Sequence, residues 1–332
     1  MKISQNWLIF LYALCYNKQR YRKRFRMSKV LKGTIYTLAA GIAWGLSGTS
    51  GQYLMGHGFS ALALTNLRLL LSGLALMGVA YLANRDHFRK LLKDKSSLFS
   101  IFIFALFAMF LNQFAYLEAI RETNAGTATV LQYLCPIGIL AYVCIKDRVA
   151  PTVSELCSML LAIGGTFLIA THGQLNQLAI TPKGLLVGLF SAFTHGLYIL
   201  LSIDLIKKWG SILVIGIGMT MAGLLLLPIS GLAQHQWDYS PNILLALVGI
   251  VVVGTIFSYT VFLKGTSLIG PVKSSLLASI EPISAVFFAF FLMNERFYVL
   301  DLVGIAMILI AVSLISLKDL WLQKKKKSCN LS

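Results

Sequence analysis

The chain has few charged residues for its length, and acidic residues are the scarcer of the two signs. Only 12% of its 332 residues are charged and 57% are hydrophobic. Soluble domains typically have about 25% charged and about 45–50% apolar residues. A soluble fold with so little polar surface would expose large apolar areas to water, so this composition excludes an ordinary soluble domain.

Several chemistry-bearing motifs are also missing. The five cysteines form no CxxC pair, which argues against a disulfide framework or a thiolate metal site and favours free thiols. No GxxxxGK[ST] loop for a nucleotide phosphate occurs, and no Asp-rich cluster of the kind that holds Mg²⁺ in prenyl transferases. We therefore expect no metal, no cofactor and no built-in ATPase.

What the sequence does contain is a series of ten apolar stretches. A hydrocarbon core about 30 Å thick requires about 20 apolar helical residues. Short connections with Gly and Pro separate the stretches, and Pro suits the first turn of a helix. We predict an all-α polytopic membrane protein with ten transmembrane spans, at residues 34–54, 60–82, 97–118, 124–145, 152–171, 183–203, 211–230, 241–263, 271–293 and 299–317.

The basic residues lie in the connections and the two ends of the chain rather than on one soluble face. With the N-terminus inside, 24 Lys and Arg fall on the inner side and three on the outer side. This asymmetry predicts a multi-pass protein of the cell membrane with both termini in the cytoplasm. It also argues against nucleic acid as a partner, whereas membrane lipid is an expected one.

The two ends are predicted to be basic cytoplasmic segments, residues 1–32 and 318–332. An apolar run from Trp7 to Tyr16 is too short to cross a membrane, and the basic cluster after it has the reverse order of a secretory signal. Met27 is an alternative first residue. The terminal run Lys324–Lys327 is interpreted as an anchor to anionic lipid head groups.

The two halves of the chain resemble each other. A shift of 146 positions places Pro136 on Pro282, and a shift of 151 places Gly45 on Gly196. Each half, 33–171 and 172–317, holds five predicted spans. Because five is odd, the halves insert with opposite orientation, and such inverted repeats place the binding site near the middle of the membrane.

The chain resembles EamA-type members of the drug/metabolite transporter superfamily from Lys32 to Leu317. The motifs that carry the resemblance are Ala43-Trp44-Gly45, Asn66-Leu67-Arg68, Ala125-Gly126 before Pro136, Ser279-Ile280-Glu281-Pro282, Leu292-Met293-Asn294-Glu295-Arg296 and Asp301–Gly304. At the end of the fourth predicted span, Lys146-Asp147-Arg148 departs from the Gly-Glu-Arg type sequence that is usual in this family. The resemblance implies a ten-helix bundle that moves small organic metabolites by alternating access; members of the family carry amino acids, amines, sugars or cationic drugs.

Three ionisable residues inside predicted spans are candidates for the site, because a charge there is costly and normally faces protein or water. Glu281 precedes Pro282, which frees the backbone carbonyl one turn earlier. As an acidic residue within a span, Glu281 is a candidate to bind a cation or a proton. Alternatively, it is a structural carboxyl group. Arg68 is a candidate for a substrate carboxylate, or a structural partner of Glu281 or of a carbonyl. His195 is equivalent to Trp44 in the repeat and is a candidate ligand or a packing residue.

Aromatic and amide side chains within the spans complete the predicted site, because aromatic walls bind cationic or aromatic ligands. The same residue types also occupy membrane interfaces. The predicted substrate-binding residues are Trp44, Arg68, Gln113, Tyr116, His195, Tyr259 and Glu281, with Ser47, Asn112, Gln132, Tyr133 and Tyr198 as further lining candidates.

These features predict a secondary transporter for a small organic metabolite, with an amino acid or related amine as the first choice. The alternative of the same fold is an exporter of drugs and quaternary ammonium compounds. Two weaker alternatives are an intramembrane serine protease using Ser47 and His195, and a channel. We expect no enzymatic activity, a small-molecule substrate as partner, and leave a homodimer open.

Overall fold

The computed structural model describes residues 28–148, 150–172, 179–232 and 240–329. Within these ranges all regular secondary structure is helical. The predicted N-terminal segment lies outside the described residues as far as residue 27, which includes the apolar run from Trp7 to Tyr16. The side chains of the C-terminal tail beyond residue 314 are likewise outside the described part.

The described helices follow one another with short connections. The first half contains α1 (Lys29–Gly56), α2 (Ala61–Ala83), α3 (Arg85–Lys93), α4 (Lys95–Ile103), a π-helical segment (Phe104–Phe110), α5 (Leu111–Glu122), α6 (Ala125–Gln132), α7 (Cys135–Asp147) and α8 (Val153–Thr171). The second half contains α9 (Pro182–Trp209), α10 (Ser211–Leu226), α11 (Pro241–Val248), a second π-helical segment (Gly249–Phe257), α12 (Ser258–Ile269), α13 (Pro271–Ala278), α14 (Ile280–Met293) and α15 (Val299–Cys329).

Local sequence explains where these helices begin. The side chains of Ser28, Ser60, Asn124 and Thr181 each accept a hydrogen bond from a backbone N–H in the first turn of α1, α2, α6 and α9. Such caps satisfy donors that have no partner within the helix.

Six helical stretches among the described residues are long and apolar enough to cross a membrane: Ala61–Ala83, Lys95–Glu122, Ala125–Lys146, Val153–Thr171, Pro182–Trp209 and Pro241–Ile269. Three shorter apolar helices are Ser211–Leu226, Ile280–Met293 and Val299–Leu314. The six long stretches coincide with six of the ten predicted spans. The other four predicted spans coincide with α1, α10, α13–α14 and α15. The chain is an all-helical, multi-pass membrane protein.

Two of the predicted spans contain a local break in the α-helix, which the sequence analysis did not specify. The span predicted at 124–145 breaks between α6 and α7, and the span predicted at 271–293 breaks at Ser279 between α13 and α14. Pro136 and Pro282 each lie shortly after the break. Because proline has no N–H and its ring clashes with the carbonyl four residues earlier, it interrupts the α-helical ladder at these points.

Close helix packing depends on glycine at a few positions. A Cβ atom added at Gly73 of α2 would lie 2.5 Å from the backbone N of Thr220 in α10. One added at Gly165 of α8 would lie 2.6 Å from the carbonyl oxygen of Gly304 in α15. Small residues let the backbones of two helices approach each other closely. In a membrane this matters because van der Waals packing, and not the hydrophobic effect, stabilises helix association. Both pairs join the first half of the chain to the second.

The connection between α2 and α4 contains the short helix α3, which the sequence analysis treated as a loop. Beside it, the Asp94 carboxylate caps α4 by accepting from the Ser97 N–H at 3.1 Å and accepts from Lys208 Nζ at 2.7 Å. The hydrogen bond from Lys208, followed by those from Ser97, lowers the pKa of Asp94 to about 2. These contacts attach the α3–α4 connection to the end of α9.

Candidate functional site

A cavity of about 610 Å³ lies between the helices of the two halves. This volume suits a small organic molecule. All seven residues of the predicted site line this cavity, and so do all five further candidates. The other lining residues are Cys135, Pro136, Ile199, Ile206, Ser211, Ile215, Phe262, Leu263, Thr266, Ser267, Ala278, Ser279 and Val312.

Arg68 supplies a positive charge to the cavity from α2. Its side chain is held by a hydrogen bond from Nε to Thr255 Oγ1 at 2.9 Å. Thr255 belongs to the second π-helical segment, and its own hydroxyl donates to the carbonyl of Ile250, five residues earlier. No other hydrogen bond or ion pair fixes Arg68 among the described side chains, so its terminal guanidinium nitrogens are available to a carboxylate. Guanidinium groups bind carboxylates in a bidentate manner.

Glu281 supplies a carboxyl group at the start of α14. The Tyr133 hydroxyl, at the break between α6 and α7, lies 3.0 Å from Glu281 Oε2 and 2.9 Å from the Ala278 carbonyl oxygen. Ala278 is four residues before Pro282, so its carbonyl is the one that proline leaves without a helical partner. Tyr133 therefore connects the two broken helices through side chain and backbone.

Arg68 and Glu281 face the same cavity without forming an ion pair with each other within 4 Å; the described part of the chain shows no salt bridge for either. The sequence analysis had left a structural Arg68–Glu281 pair open, and the structure does not contain it. Lys273, the other basic residue of the predicted spans, has an exposed side chain on α13. The cavity thus presents one guanidinium group and one carboxyl group that are not paired with each other.

A cluster of aromatic rings forms one wall of the cavity. The Trp44 ring is 5.5 Å from that of Tyr259 in an edge-to-face arrangement and 5.1 Å from that of Phe262. Tyr259 and Phe262 follow the second π-helical segment on α12, whereas Trp44 is on α1. The wall therefore combines both halves of the chain and suits an aromatic or cationic ligand.

Tyr116 and Gln113 line the cavity from α5. Thr129 donates its hydroxyl proton to the Ala125 carbonyl at 2.7 Å, so the Tyr116 hydroxyl, 2.7 Å from Thr129 Oγ1, is the donor in that pair. Gly48 makes room for Tyr116, since a Cβ there would be 2.6 Å from the Tyr116 hydroxyl oxygen. Gln113 is also buried against the cavity.

His195 and Ser47 line the cavity but are not bonded to each other. Neither Ser47 Oγ nor His195 Nδ1 has a hydrogen-bond partner, although both atoms are buried. A serine nucleophile requires its base within hydrogen-bonding distance. The structure therefore does not contain the Ser–His pair that the protease alternative needs. His195 instead lies beside Tyr198, with ring centroids 5.7 Å apart.

One end of the cavity is closed by polar contacts between helix ends. Gln52, near the end of α1, donates from Nε2 to Glu295 Oε1 at 2.6 Å and accepts from the Ala125 N–H at 2.8 Å. At the same end, Lys183 forms an ion pair with Glu122 at 2.8 Å. The contacts of Glu122 and Glu295 therefore join the two halves of the chain.

At the opposite end the cavity lining reaches the helix termini themselves. Ile206 and Ser211 lie on either side of the connection between α9 and α10, and Thr266 and Ser267 are near the end of α12. The cavity therefore extends toward one face of the bundle and is sealed toward the other.

Sequence reasoning missed some lining residues, chiefly Phe262 and Thr266. Their spacing from Tyr259, three and seven residues, is that of one helix face and is the signal that would have included them. Gln52 and Thr255 were also missed, because their roles depend on contacts with residues far away in sequence. The described residues contain no group of three or more His, Cys, Asp or Glu side chains that could hold a metal ion.

Comparison with known proteins agrees with the architecture of two similar halves. The EamA-like transporter family matches residues 31–171 and again residues 182–317. The chain is 35% identical over 292 residues to the "Uncharacterized inner membrane transporter YicL" of Salmonella typhimurium, covering 88% of this chain and 97% of that protein. It is 25% identical over 292 residues to the "Uncharacterized transporter YwfM" of Bacillus subtilis, covering 86% and 95%.

A solved structure titled "Crystal structure of protein" has a similar fold. It has a TM-score of 0.56 and 17% sequence identity, and the match covers 86% of this chain and 96% of the other. At this identity the likeness concerns the fold alone. The homologous proteins carry the names of transporters and not of enzymes. With its two family matches and its 35% identical relative, this chain belongs to the EamA-like transporter family of the drug/metabolite transporter superfamily.

Proposed function

We propose that this transporter moves a zwitterionic or amine-bearing solute, with an amino acid as first choice, across the cell membrane by alternating access. The observation that carries the proposal is the presence of Arg68 and Glu281 in one cavity without an ion pair between them. An α-amino acid has a carboxylate and an ammonium group and would satisfy both charges. A buried charge without a partner is costly, so a ligand that pairs with both gains affinity.

Each residue of the predicted site then has a role that its contacts support. Arg68, oriented by Thr255, binds the substrate carboxylate, and Glu281 binds the ammonium group. Trp44 and Tyr259 pack against the substrate side chain. The remaining three members of the site, Gln113, Tyr116 and His195, offer hydrogen-bonding groups that set which solutes fit.

We also propose that the bundle has ten spans arranged as two inverted repeats. The shift of 146 positions that relates Pro136 to Pro282 also relates the break after α6 to the break after α13. The two π-helical segments occupy the third predicted span of each half. In addition, α1 of the first half packs against α14, while α9 of the second half packs against α7. Such exchanged partners are what a pseudo-two-fold axis in the membrane plane produces.

Both termini are proposed to face the cytoplasm, because 24 basic residues fall on that side and three on the other. The printed name of the Salmonella typhimurium relative, an inner membrane transporter, supports the cell membrane as location. In this orientation the sealed end near Gln52 and Glu295 is external. The cavity mouth near Ser211 then opens to the cytoplasm, so the structure corresponds to an inward-open state.

Export of quaternary ammonium compounds is the second candidate. The Glu281 carboxylate beside the Trp44–Tyr259–Phe262 wall favours it, because aromatic rings and a carboxylate together bind such cations. The Arg68 guanidinium opposes it, because a like charge in the same cavity repels a pure cation. The two candidates therefore differ in what Arg68 contributes.

The test is counterflow in liposomes that contain the purified full-length protein. Labelled L-tryptophan, L-leucine, L-arginine, tryptamine and tetraphenylphosphonium are each offered against an internal pool of the same compound. Saturable exchange of amino acids that is lost in Arg68→Gln but kept in Arg89→Gln, on the surface helix α3, supports the proposal. Exchange of tetraphenylphosphonium alone, undiminished or increased in Arg68→Gln, supports the exporter, and unsaturable flux supports a channel.

A further inference from the structure

Two buried amide side chains meet in the wall of the cavity. Asn112 lies on α5, just after the first π-helical segment, and Gln132 is the last residue of α6, at the helix break. Both line the cavity, with only 7% and 8% of their surfaces exposed. Gln132 Nε2 donates to Asn112 Oδ1 at 3.2 Å. We call these two residues the amide pair.

The bond within the amide pair uses a small part of what two amides can form. Each primary amide has two N–H donors and a carbonyl oxygen with two acceptor positions. Within the described part of the chain, no other hydrogen bond involves either side chain. The unused atoms, Asn112 Nδ2 and Gln132 Oε1, are not among the fully buried polar atoms that lack a partner. They are therefore accessible from the cavity.

The amide pair thus presents a donor beside an acceptor. The pattern is the same if the two amides exchange roles, because one NH₂ group and one carbonyl oxygen always remain unused. A primary carboxamide on a solute is complementary, since its carbonyl oxygen accepts from Asn112 and its N–H donates to Gln132. Such an exchange of two hydrogen bonds satisfies buried polar groups on both sides.

Other chemical groups leave part of the amide pair without a partner. A carboxylate has no hydrogen to donate to Gln132 Oε1, and an ammonium or guanidinium group has no acceptor for Asn112 Nδ2. A hydrocarbon group satisfies neither atom. Because a buried donor or acceptor without a partner costs free energy, the pair discriminates against all three groups.

The second half of the chain forms the equivalent junction without amides. The shift of 146 positions that relates the two helix breaks places Asn112 on Ser258 and Gln132 on Ala278. The Ser258 hydroxyl donates to the Val253 carbonyl of its own helix at 2.7 Å, and alanine has no polar side chain. A π-helical segment and a helix break therefore do not require an amide pair to hold them together, which favours a role in binding.

The amide pair lies beside the residues that face the rest of the solute. Asn112 is four residues before Tyr116, on the same face of α5. Gln132 immediately precedes Tyr133, whose hydroxyl is 3.0 Å from Glu281 Oε2. A solute that binds Glu281 through its ammonium group is therefore held in the part of the cavity that contains the pair.

We propose that the amide pair binds a primary carboxamide on the substrate side chain, so that asparagine and glutamine form the favoured class of amino acids. This inference rests on the proposed function for the amino acid end of the solute. Asn112 donates to the carboxamide oxygen and Gln132 accepts from the carboxamide N–H. The aliphatic part of the side chain then packs against the aromatic wall.

Binding to the purified full-length protein in detergent, measured by calorimetry, tests this selectivity. L-asparagine is compared with L-leucine and L-aspartate, which have nearly its shape, and L-glutamine with L-norleucine. We expect the amide of at least one series to bind about ten-fold or more tightly than its analogues, the effect of two lost hydrogen bonds. Equal affinities within both series overturn the proposal.

The amide pair can be removed with little change in shape in the double variant Asn112→Leu, Gln132→Met. Replacing both partners of a hydrogen bond by apolar groups is close to neutral for stability. We therefore expect a wild-type Tm together with loss of the preference for the amide. Asn242→Leu, which removes an exposed amide at the start of α11, is the control and should keep the preference. A preference that survives in the double variant contradicts the assignment to these two residues.

A carboxylate-free series separates this inference from the proposed function. β-Alaninamide and isoamylamine are the decarboxylated forms of asparagine and leucine, and we expect β-alaninamide to bind more tightly. If amino acids undergo counterflow without any preference for an amide, the amide inference fails and the transport function stands. If β-alaninamide is preferred but no amino acid binds, the proposed amino acid substrate fails and the amide site stands.

Discussion

The Gln52 side-chain amide bridges two residues that are far apart in sequence, the carboxylate of Glu295 at 2.6 Å and the backbone N–H of Ala125 at 2.8 Å. These contacts hold the end of α1 against the start of α6 and the end of α14. They close the cavity on the side opposite to its mouth. An alternating-access transporter must break contacts of this kind to expose its site on that side.

We expect Gln52→Leu to increase access to the cavity from outside. Leucine is similar in size but cannot bridge Glu295 and Ala125, and a hydrogen bond to a charged group contributes about 1.5–3 kcal/mol. Loss of about that amount changes the population of the open state roughly ten-fold or more. The measurement is labelling of Cys135, which lines the cavity, by a membrane-impermeant maleimide in a variant whose other cysteines are serine. His57→Leu, at the exposed end of α1, is the control; an unchanged labelling rate in Gln52→Leu would contradict the role of Gln52.

Gly48→Ala is expected to destabilise the protein by about 1–3 kcal/mol, the usual range for an overpacked site. The new Cβ would be 2.6 Å from the Tyr116 hydroxyl oxygen and would displace it from Thr129. Gly138→Ala is the matched control, because nothing lies within 4 Å of a Cβ there. Thermal unfolding in detergent should show a lower Tm for the first variant and an equal or higher Tm for the second. Equal effects of the two changes would argue against steric conflict.

Thr255→Val should weaken amino acid binding while leaving the charge of Arg68 in place. Valine keeps the shape of threonine but removes the acceptor that orients Arg68 Nε. A hydrogen bond to a charged group contributes about 1.5–3 kcal/mol, so the KM for counterflow should rise roughly ten- to hundred-fold. Thr260→Val, whose hydroxyl donates to the backbone of its own helix, is the control. A carboxylate-free amine such as tryptamine should be affected less; equal losses for both substrates would show that Arg68 does not bind the carboxylate.

The ion pair of Asp94 with Lys208 should give a stability contribution that depends on pH. The pKa of Asp94 is lowered to about 2 in the folded chain, against about 3.9 for an unperturbed aspartate. The contribution is therefore present above pH about 4 and is lost as the pH falls toward about 2. Asp94→Asn keeps the helix cap but loses the charge, so its Tm should be below that of the wild type near neutral pH and converge with it in acid. Asp204→Asn, which removes an exposed ion pair with Lys207, should have the same Tm as the wild type at both pH values. A Tm difference between Asp94→Asn and the wild type that grows as the pH falls would contradict the prediction.

Much of this architecture can be predicted from the sequence because the membrane imposes a simple rule on helix length and polarity. The same rule singled out two residues that line the cavity: Glu281 and Arg68 stand out because charges are rare in apolar spans, and the structure places both around one cavity. Pro282 indicated that a backbone carbonyl one turn earlier would lose its helical partner. Gln52, Thr255 and the separation of Arg68 from Glu281 could not be predicted, because they depend on how distant helices meet and not on any local pattern.

The second π-helical segment has a consequence for the geometry of the aromatic wall. A π turn contains about one residue more than an α turn, and one residue corresponds to a rotation of about 100° around the helix axis. Everything that follows Phe257 is therefore rotated relative to an uninterrupted helix, and this part of the helix includes Tyr259 and Phe262, whose rings contact Trp44. If the π turn moved along the helix during transport, the rings of Tyr259 and Phe262 would rotate together away from the cavity. The cavity would then change shape without any tilt of a helix.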